Sequence, residues 1–482
     1  MSGNSIRKST VRGIKWSGMS SVVMAATQFL GALFLAKYLE KREMGEIALI
    51  QTLVGITIIF LDMGVSNAVV YKKDISAEQL SGVYWINVFS GIVFTLAGYF
   101  SAPYIGMYFR SIDLPRYIRL VSVSFFILSL SRLFKFLFIK YLKIKYVSLS
   151  EIVSYTLSFV LMWVMLYKGY RILAFVYAVI FRSVLQTLIL MVQGLKIFVP
   201  RPVYRRKSLV ELYRYGMFNL GEMITDFLNS QWDTLLIGRL LNLEVLGVYS
   251  TAKTLAMKPM QLLSPVISKV NFPLMAQHQD QPEKVKKYYL LSVKYLFAAL
   301  VVVYFTLIVE SRDLLWVLYR EKWLEAVPYL RLLSLYFLIR VVRNPLGSLV
   351  LATGKVHWRF YWNLVLLVVL PVLIYFASQS GLYAVITALM VWYAAALYIS
   401  FRLITARIIP VRFGELIRPV IKLCIWMLPS LLAGAGLQYA IPSPYVRIIA
   451  IPVVSLALYI WVLKKREPEL FGELTRFVGY KK

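Results

Sequence analysis

The sequence contains little of the chemistry from which soluble enzymes build their sites. Its 482 residues include one cysteine, Cys424, and two histidines, His278 and His357. One cysteine forms no intramolecular disulfide, and so few thiol and imidazole groups exclude a metal site built from cysteine and histidine clusters. A phosphate-binding glycine loop, an HExxH pattern and a nucleophile elbow are also missing. We therefore expect no metal, no cofactor and no catalytic residues.

Acidic residues are scarce too, with 23 Asp and Glu against 54 Lys and Arg. A formal charge of +31 is compatible with nucleic-acid binding. However, only 16% of the residues are charged, and 60% are hydrophobic, whereas about half of a soluble domain is apolar. The mean hydropathy is +0.69. The composition predicts a membrane protein without a nucleic-acid partner.

Apolar stretches follow one another along the chain, with short connections between them. About fourteen of them reach the length of about 20 residues that a helix needs to cross a bilayer. This pattern predicts an all-α, multi-pass protein. The expected spans are 17–36, 44–70, 80–100, 117–139, 147–167, 172–192, 212–237, 245–270, 289–309, 327–351, 361–376, 382–401, 419–439 and 445–463.

Basic residues concentrate in alternate connections between the expected spans. With a cytoplasmic amino terminus, the inside segments contain about 30 Lys and Arg and the outside segments about 13. The strongest basic clusters are 205–207 and 464–466. An excess of basic residues on one side orients membrane proteins with that side in the cytoplasm. We predict that both termini are cytoplasmic and that membrane lipids surround the spans.

One pattern of residues occurs twice at a constant offset. It consists of a basic residue with a Leu two positions later, then a Gly and a Thr-Leu pair, and it occupies 37–53 and 239–255. The two copies follow the first and the seventh expected span. We expect Gly45 and Gly247 to allow a tight turn there, because glycine adopts backbone angles that are closed to other residues.

The repeat predicts a two-lobed architecture. Six spans per lobe is an even number, so both lobes would have the same orientation, related by a pseudo-two-fold axis along the membrane normal. We predict an amino-terminal lobe at 1–200 and a second lobe at 201–410. Residues 411–482 would add two spans and a cytoplasmic tail.

The seventh span carries four polar side chains at helical spacing: Glu222, Asp226, Asn229 and Asp233. Their separations of four, three and four residues place them along one face of a helix. An ionisable group inside a bilayer is unfavourable unless it faces a polar cavity or pairs with a basic neighbour. We predict that this face lines a cavity; pairing with basic residues on a packed neighbour is the alternative.

Two later spans supply cations. The eighth contains Lys253 and Lys258, with Gln261 nearby, and the tenth contains Arg340 and Arg343 on one helix face. These groups could balance the carboxylates of the seventh span or bind an anionic substrate. For Arg340 and Arg343, a position in a cavity competes with an extended side chain that reaches the interface.

Asp62 lies within the second expected span, beside Gly64 and small residues. In one interpretation its side chain caps a kink in the helix. In the other, it binds a proton or a sodium ion, as acidic groups at membrane depth do in coupled transporters. Glu222 and Asp226 are further candidates for such ion coupling.

Segments spread over nearly the whole chain resemble one transporter family. They are Tyr38-Leu39 with Gly45, Asp62-Met63-Gly64 with Tyr71-Lys72-Lys73-Asp74, Asp233 to Leu241, Leu246-Gly247-Val248-Tyr249-Ser250, Phe272-Pro273, Lys322-Trp323-Leu324 with Ala326-Val327-Pro328, and Ala352-Thr353-Gly354-Lys355. In order and spacing they resemble the polysaccharide transport family of the multidrug, oligosaccharidyl-lipid and polysaccharide exporter superfamily. The branch with colanic-acid and teichuronic-acid exporters is the most similar.

The resemblance implies a flippase of the bacterial cytoplasmic (inner) membrane and not an enzyme. Its substrate would be an undecaprenyl-diphosphate-linked oligosaccharide repeat unit for surface polysaccharide biosynthesis, moved by alternating access. Its partners would include the glycan polymerase and glycosyltransferases of that pathway. The implied substrate-binding residues are Lys253, Lys258, Arg340 and Arg343 for the diphosphate, with Asp226, Asp233, Asn229 and Gln261 near the glycan.

Two alternatives stay open. A drug exporter of the same superfamily would share the architecture but would favour an acidic cavity, in contrast to the basic residues found here. A membrane glycan polymerase or glycosyltransferase would meet the same substrate but generally needs a large loop or a catalytic acidic cluster. The longest connections here, at 194–211 and 402–418, are short and basic.

Overall fold

The computed structural model describes the backbone of residues 3–62, 69, 75–202 and 206–477, and the side chains of 13, 15–61, 69, 75–202, 220–269 and 271–472. Helices occupy nearly all of these residues, so the all-α prediction is confirmed. The helices are α1 (Gly3–Tyr38), α2 (Lys41–Asp62), α3 (Ala77–Phe109), α4 (Leu114–Lys140), α5 (Ile144–Tyr167), α6 (Ile172–Gly194), α7 (Arg206–Leu240), α8 (Leu243–Gln277), α9 (Pro282–Tyr319), α10 (Val327–Arg343), α11 (Leu346–Ala352), α12 (Val356–Ser378), α13 (Leu382–Ser400), α14 (Phe413–Ala440), α15 (Pro444–Arg466) and α16 (Pro468–Phe477).

Each expected span overlaps helical structure in the described chain, and residues 63–68 and 70 of the span 44–70 lie outside the described residues. The tenth is divided into α10 and α11 at Asn344 and Pro345, because proline lacks the backbone donor that would continue the helix. By contrast, α8 continues through Pro259, Pro265 and Pro273.

Twelve helical segments within the described residues are long and apolar enough to cross a membrane. The long helices α7 and α8 are not among them, because they carry the acidic and basic residues singled out above. Each nevertheless has 35 residues, which at about 1.5 Å per residue exceeds the hydrocarbon thickness of a bilayer. The protein is therefore a multi-pass membrane protein in which two long helices are unusually polar.

The chain forms two compact units, Met1–Gly247 and Val248–Lys482. In the first, α3 packs on α4, α4 on α6, α6 on α5 and α5 on α1, while α7 packs on α2 and α3. In the second, α9 contacts α10, α14 and α15, and α13 packs between α10 and α12. These units are defined by packing and do not test the lobes inferred from the repeat, which stay a prediction.

The repeated glycines lie inside helices and not in turns. Gly45 follows the first turn of α2, Gly247 follows the first turn of α8, and neither has a positive φ. A Cβ on Gly45 would overlap the carbonyl oxygen of Leu243, and a Cβ on Gly247 would overlap that of Lys41. The turn expectation is wrong: the glycines allow two helix starts to approach closely, as small residues do in membrane proteins. The contact is reciprocal, because Lys41 and Leu243 each precede a repeat glycine by four residues.

Connections between successive helices meet at one end of the first unit. Arg171, between α5 and α6, donates to both carboxylate oxygens of Glu43 at the start of α2, at 2.6 and 2.7 Å. This hydrogen bonding raises the pKa of the Arg171 guanidinium above its usual value. Nearby, Ser111 between α3 and α4 donates to Glu46 at 2.6 Å. The contacts bring three connections together, as an up-and-down arrangement of helices requires.

Candidate functional site

The acidic face of α7 is distinct from the face that packs on α2. A Cβ on Gly55 of α2 would lie 2.7 Å from the Phe227 ring, and Thr52 of α2 donates to the Gln231 side chain at 3.3 Å. Successive residues of a helix differ by about 100°, so Asp226 points away from the direction of Phe227. At these contacts α7 thus packs on α2 through Phe227 and Gln231.

Burial changes along this acidic face. Asp226 is exposed, whereas Glu222 and Asn229 are half-buried. Asp233 is only 8% exposed, and its carboxylate accepts a hydrogen bond from the backbone nitrogen of Thr234 at 2.7 Å. The acidic face is thus accessible to solvent at Asp226 and becomes buried towards Asp233.

The structure adds little to the ion-coupling candidates. Asp62 is the last residue of α2 whose backbone is described, and its side chain lies outside the described residues. Glu222 and Asp226 stand one helical turn apart on α7. Within the described residues, no group of three or more His, Cys, Asp or Glu side chains could hold a metal ion.

A basic–aromatic cluster surrounds the end of α10 in the second unit. The guanidinium carbon of Arg340 lies 5.1 Å from the centre of the Tyr393 ring, and its Nη1 donates to the Tyr336 hydroxyl at 3.2 Å. The guanidinium carbon of Arg343 lies 5.1 Å from the centre of the Trp362 ring. Cation–π contacts of this kind hold a guanidinium plane in place without neutralising its charge. The cluster is Arg340, Arg343 and Arg359 with Tyr336, Tyr393 and Trp362.

Arg359 was missed by the sequence analysis. It belongs to the first turn of α12 and is close enough for its charge to act on Arg343. Arg359 lies just before the expected span 361–376, where a basic residue normally signals only the membrane interface. Its separation of three residues from Trp362 was the available signal, since that spacing puts both on one helix face.

Arg343 is surrounded by aromatic rings and other cations. It is half-buried, and the charges of both Arg340 and Arg359 act on it. Among the described residues it forms no ion pair with a carboxylate. Like charges repel strongly in a medium of low dielectric constant, so an anion bound here would relieve the repulsion. The geometry therefore suits an anionic ligand.

The basic residues of α8 form no single patch with each other. Lys253 and Lys258 are both half-buried, and Gln261 is exposed. The ammonium of Lys253 lies 5.7 Å from the centre of the Tyr249 ring. A separation of five residues turns Lys258 by about 140° from Lys253 around the helix axis. Lys258 and Gln261, three residues apart, share one side.

One contact brings α8 next to the end of α10. The Ser264 hydroxyl makes a short hydrogen bond to the side-chain oxygen of Asn344, which directly follows Arg343. The structure thus unites Arg340 and Arg343 with the additional Arg359, and it places α8 beside them.

A comparison with known proteins gives these features a context. Residues 34–328 match the family described as polysaccharide biosynthesis protein. The chain belongs to this family. Teichuronic acid biosynthesis protein TuaB of Bacillus subtilis (strain 168) is 26% identical over 377 residues, which are 78% of this chain and 78% of that relative. Lipopolysaccharide biosynthesis protein WzxC of Escherichia coli (strain K12) is 29% identical over 363 residues, 74% of this chain and 73% of that relative. The resemblance read from the motifs is confirmed.

Solved structures show the same fold. The lipid II flippase MurJ in an inward closed conformation aligns with a TM-score of 0.75 over 95% of this chain and 99% of that chain, at 12% identity. A multidrug resistance MATE family transporter in an inward-facing conformation aligns with a TM-score of 0.68 over 80% of this chain and 94% of that one, at 14% identity. At such identities the likeness concerns the fold alone.

Proposed function

We propose that this protein of the polysaccharide biosynthesis family is a flippase for undecaprenyl-diphosphate-linked oligosaccharide repeat units. Its relatives are named for teichuronic acid and lipopolysaccharide biosynthesis, and a protein of the same fold is named as a lipid flippase. The observation that carries the proposal is the basic–aromatic cluster at the end of α10. The protein would act in the bacterial cytoplasmic membrane by alternating access.

The chemistry of the cluster matches a diphosphate. Guanidinium groups donate paired hydrogen bonds to phosphate oxygens, and these charge-assisted bonds are strong where water is scarce. The aromatic faces beside them could also stack on sugar rings. The polyprenyl tail would stay in lipid. Lys253 and Lys258 would add positive charge, while Asp226, Asn229, Asp233 and Gln261 would hydrogen-bond the glycan.

A drug exporter is the second candidate, because a multidrug transporter has this fold as well. The basic cluster disfavours it: a cavity for cationic drugs should be acidic, and Arg343 has no carboxylate partner among the described residues. A polymerase or glycosyltransferase is the third. The acidic face of α7 would have to supply its catalytic group, and such enzymes generally need a large loop, whereas the longest expected connections, 194–211 and 402–418, are short and basic.

Cells that lack the protein are expected to accumulate lipid-linked repeat units in the cytoplasmic leaflet. The measurement is extraction of these lipids, together with a membrane-impermeant glycosidase applied to spheroplasts. Loss of a polymerase would instead leave single units in the outer leaflet, where the glycosidase digests them. A matched strain that lacks the polymerase is the control. Normal arrival of units in the outer leaflet would contradict the flippase function.

Ion coupling through Asp62, Glu222 or Asp226 is a separate part of the proposal. If export is coupled at α7, Asp226→Asn should remove its dependence on the proton or sodium gradient, because the amide cannot gain or lose the charge. Asp280→Asn, an exposed position after α8, serves as the control. Export that continues after the gradients are collapsed in the parent strain would rule out coupling.

The orientation with both termini in the cytoplasm also belongs to this proposal, and rests on the distribution of basic residues. A reporter that is active only in the cytoplasm, fused after the last residue, tests it. Activity only with a reporter for the outer face would reverse the assignment. Glycosyltransferases and a polymerase of the same pathway would be the partners that supply and consume the lipid-linked unit.

A further inference from the structure

A buried polar network fastens α14 and α15 to α9. Glu310 and Asp313 lie three residues apart on α9, on the side that faces these two helices. Glu310 is 3% exposed and Asp313 is 8% exposed. Two carboxyl groups this deeply buried need compensation, because an unpaired charge away from water is strongly unfavourable.

Among the described residues, the cation whose charge acts on Glu310 is Arg447 of α15, and Asp313 engages it. Its Nη2 donates to one oxygen of Asp313 at 2.9 Å, and its Nε lies 2.7 Å from the other. The remaining Nη1 donates to the backbone oxygen of Gln438 on α14 at 3.0 Å. Nη1 and Nη2 of Arg447 thus donate to groups other than Glu310, while its Nε lies at ion-pair distance from Asp313 and has no hydrogen-bond partner among the described residues.

Glu310 itself has one weak partner. The side-chain nitrogen of Gln438 donates to the backbone oxygen of Val309 at 2.7 Å and to one oxygen of Glu310 at 3.4 Å. The other oxygen, Oε2, is buried and has no hydrogen-bond partner among the described residues. From α10, the guanidinium of Arg331 reaches α9 at Ser311, to which it donates at 2.8 Å. The charged groups that act on Glu310 are Asp313 and Arg447.

The charge balance of the network favours one bound proton. With both carboxyl groups ionised, one guanidinium faces two negative charges, and the network has a net charge of −1 inside the protein. One proton on Glu310 would bring the net charge to zero. Arg447 contacts Asp313 with two of its nitrogens, whereas the side-chain partner of Glu310 among the described residues is the neutral amide of Gln438, so we place the proton on Glu310.

We propose that Glu310 is a proton-binding site of this protein, occupied while α14 and α15 are fastened to α9, and that release of its proton loosens this attachment. Release breaks the O–H bond at Oε2, and the proton passes to water without any redox change. The ionised carboxylate then repels Asp313 and competes for Arg447. The inference does not depend on which substrate the protein transports.

Infrared spectroscopy of the full-length protein in lipid nanodiscs tests the site directly. At neutral pH, the wild type should show a carbonyl band of a buried protonated carboxyl group, and this band should disappear as the pH is raised. Glu310→Gln should lack the band. Glu283→Gln, an exposed position in the first turn of the same helix, should keep it. A wild-type spectrum identical to that of Glu310→Gln at every pH would overturn the proposal.

The loosening is tested by thermal unfolding across the same pH range. The wild type should lose stability as the pH rises through the value at which the band disappears, because the proton is bound only in the folded network. Glu310→Gln, which mimics the protonated form, should show a flat profile there. A variant profile that falls as steeply as that of the wild type would contradict a role for Glu310 in the attachment.

Gln438→Leu provides a second test if Glu310→Gln fails to accumulate. This change removes the amide donor that favours the ionised carboxylate, so the infrared band should persist to a pH about one unit higher than in the wild type, the size expected for one hydrogen bond to a charged group. Disappearance of the band at the wild-type pH would count against Glu310 as its source.

Discussion

Replacing Arg343 with glutamine is expected to lower glycan export by about tenfold to a hundredfold, with normal amounts of protein in the membrane. The estimate corresponds to the loss of one charge-assisted hydrogen bond, about 1.5–3 kcal/mol. Glutamine keeps the length and polarity of the side chain but removes the charge that would pair with a diphosphate. Export is measured as surface polysaccharide in a strain that carries only the variant.

Three further variants test whether the loss of export arises from the positive charge at this site. Arg343→Lys keeps the charge but loses the planar fork and the stacking on Trp362, so export should lie between the wild type and Arg343→Gln. Arg418→Gln removes an exposed arginine of α14 and should leave export unchanged. Lys253→Gln should also reduce export. Normal export by both Lys253→Gln and Arg343→Gln would refute the assignment of the head-group site.

Alanine at Gly45 or Gly247 is expected to destabilise the first unit by about 1–3 kcal/mol, the usual range for overpacking. The added Cβ would overlap a backbone carbonyl of the opposite helix. A backbone atom cannot rotate away as a side chain can, so the two helix starts would have to separate. The measurement is the thermal unfolding of the purified protein and the amount that reaches the membrane.

Gly436→Ala in α14 is the matched control, because a Cβ there would meet nothing within 4 Å. Within a helix, alanine is about 1 kcal/mol more favourable than glycine, so this variant should be as stable as the wild type or more stable. If Gly45→Ala and Gly247→Ala behaved in the same way as Gly436→Ala, the close approach of the helices would not contribute to stability.

The helices could be predicted because very few backbone conformations are stable inside a bilayer. A long apolar segment in lipid must satisfy its backbone hydrogen bonds internally, and a helix does so within the segment. For this reason the expected spans coincide with helices, including α7 and α8, whose charges lower their hydropathy. The spacing of Arg340 and Arg343 is likewise a local property, since three residues on one helix share a face whatever surrounds them.

The spacing of residues along one helix does not predict which face of that helix packs against another helix. The motif around Gly45 and Gly247 suggested a turn, and their actual role depends on a contact between helices that are distant in sequence. Arg359 stood outside an expected span, so its membership of the basic cluster became visible only from its approach to Arg343 in the structure. The Glu310 network follows the same rule, because it joins α9 to two helices that follow more than a hundred residues later.

The sequence by itself determined the membrane class, the positions of the helices and the family, because hydropathy, helical period and motif order are properties of neighbouring residues. The tertiary structure decided the surroundings of the charged side chains. Whether a buried Arg or Glu is neutralised, stacked on a ring or left to bind a ligand depends on the side chains that packing brings within a few ångströms. In this protein those partners mostly come from other helices. The sequence pattern could therefore identify the charged candidate residues, but it could not predict which side chains contact them.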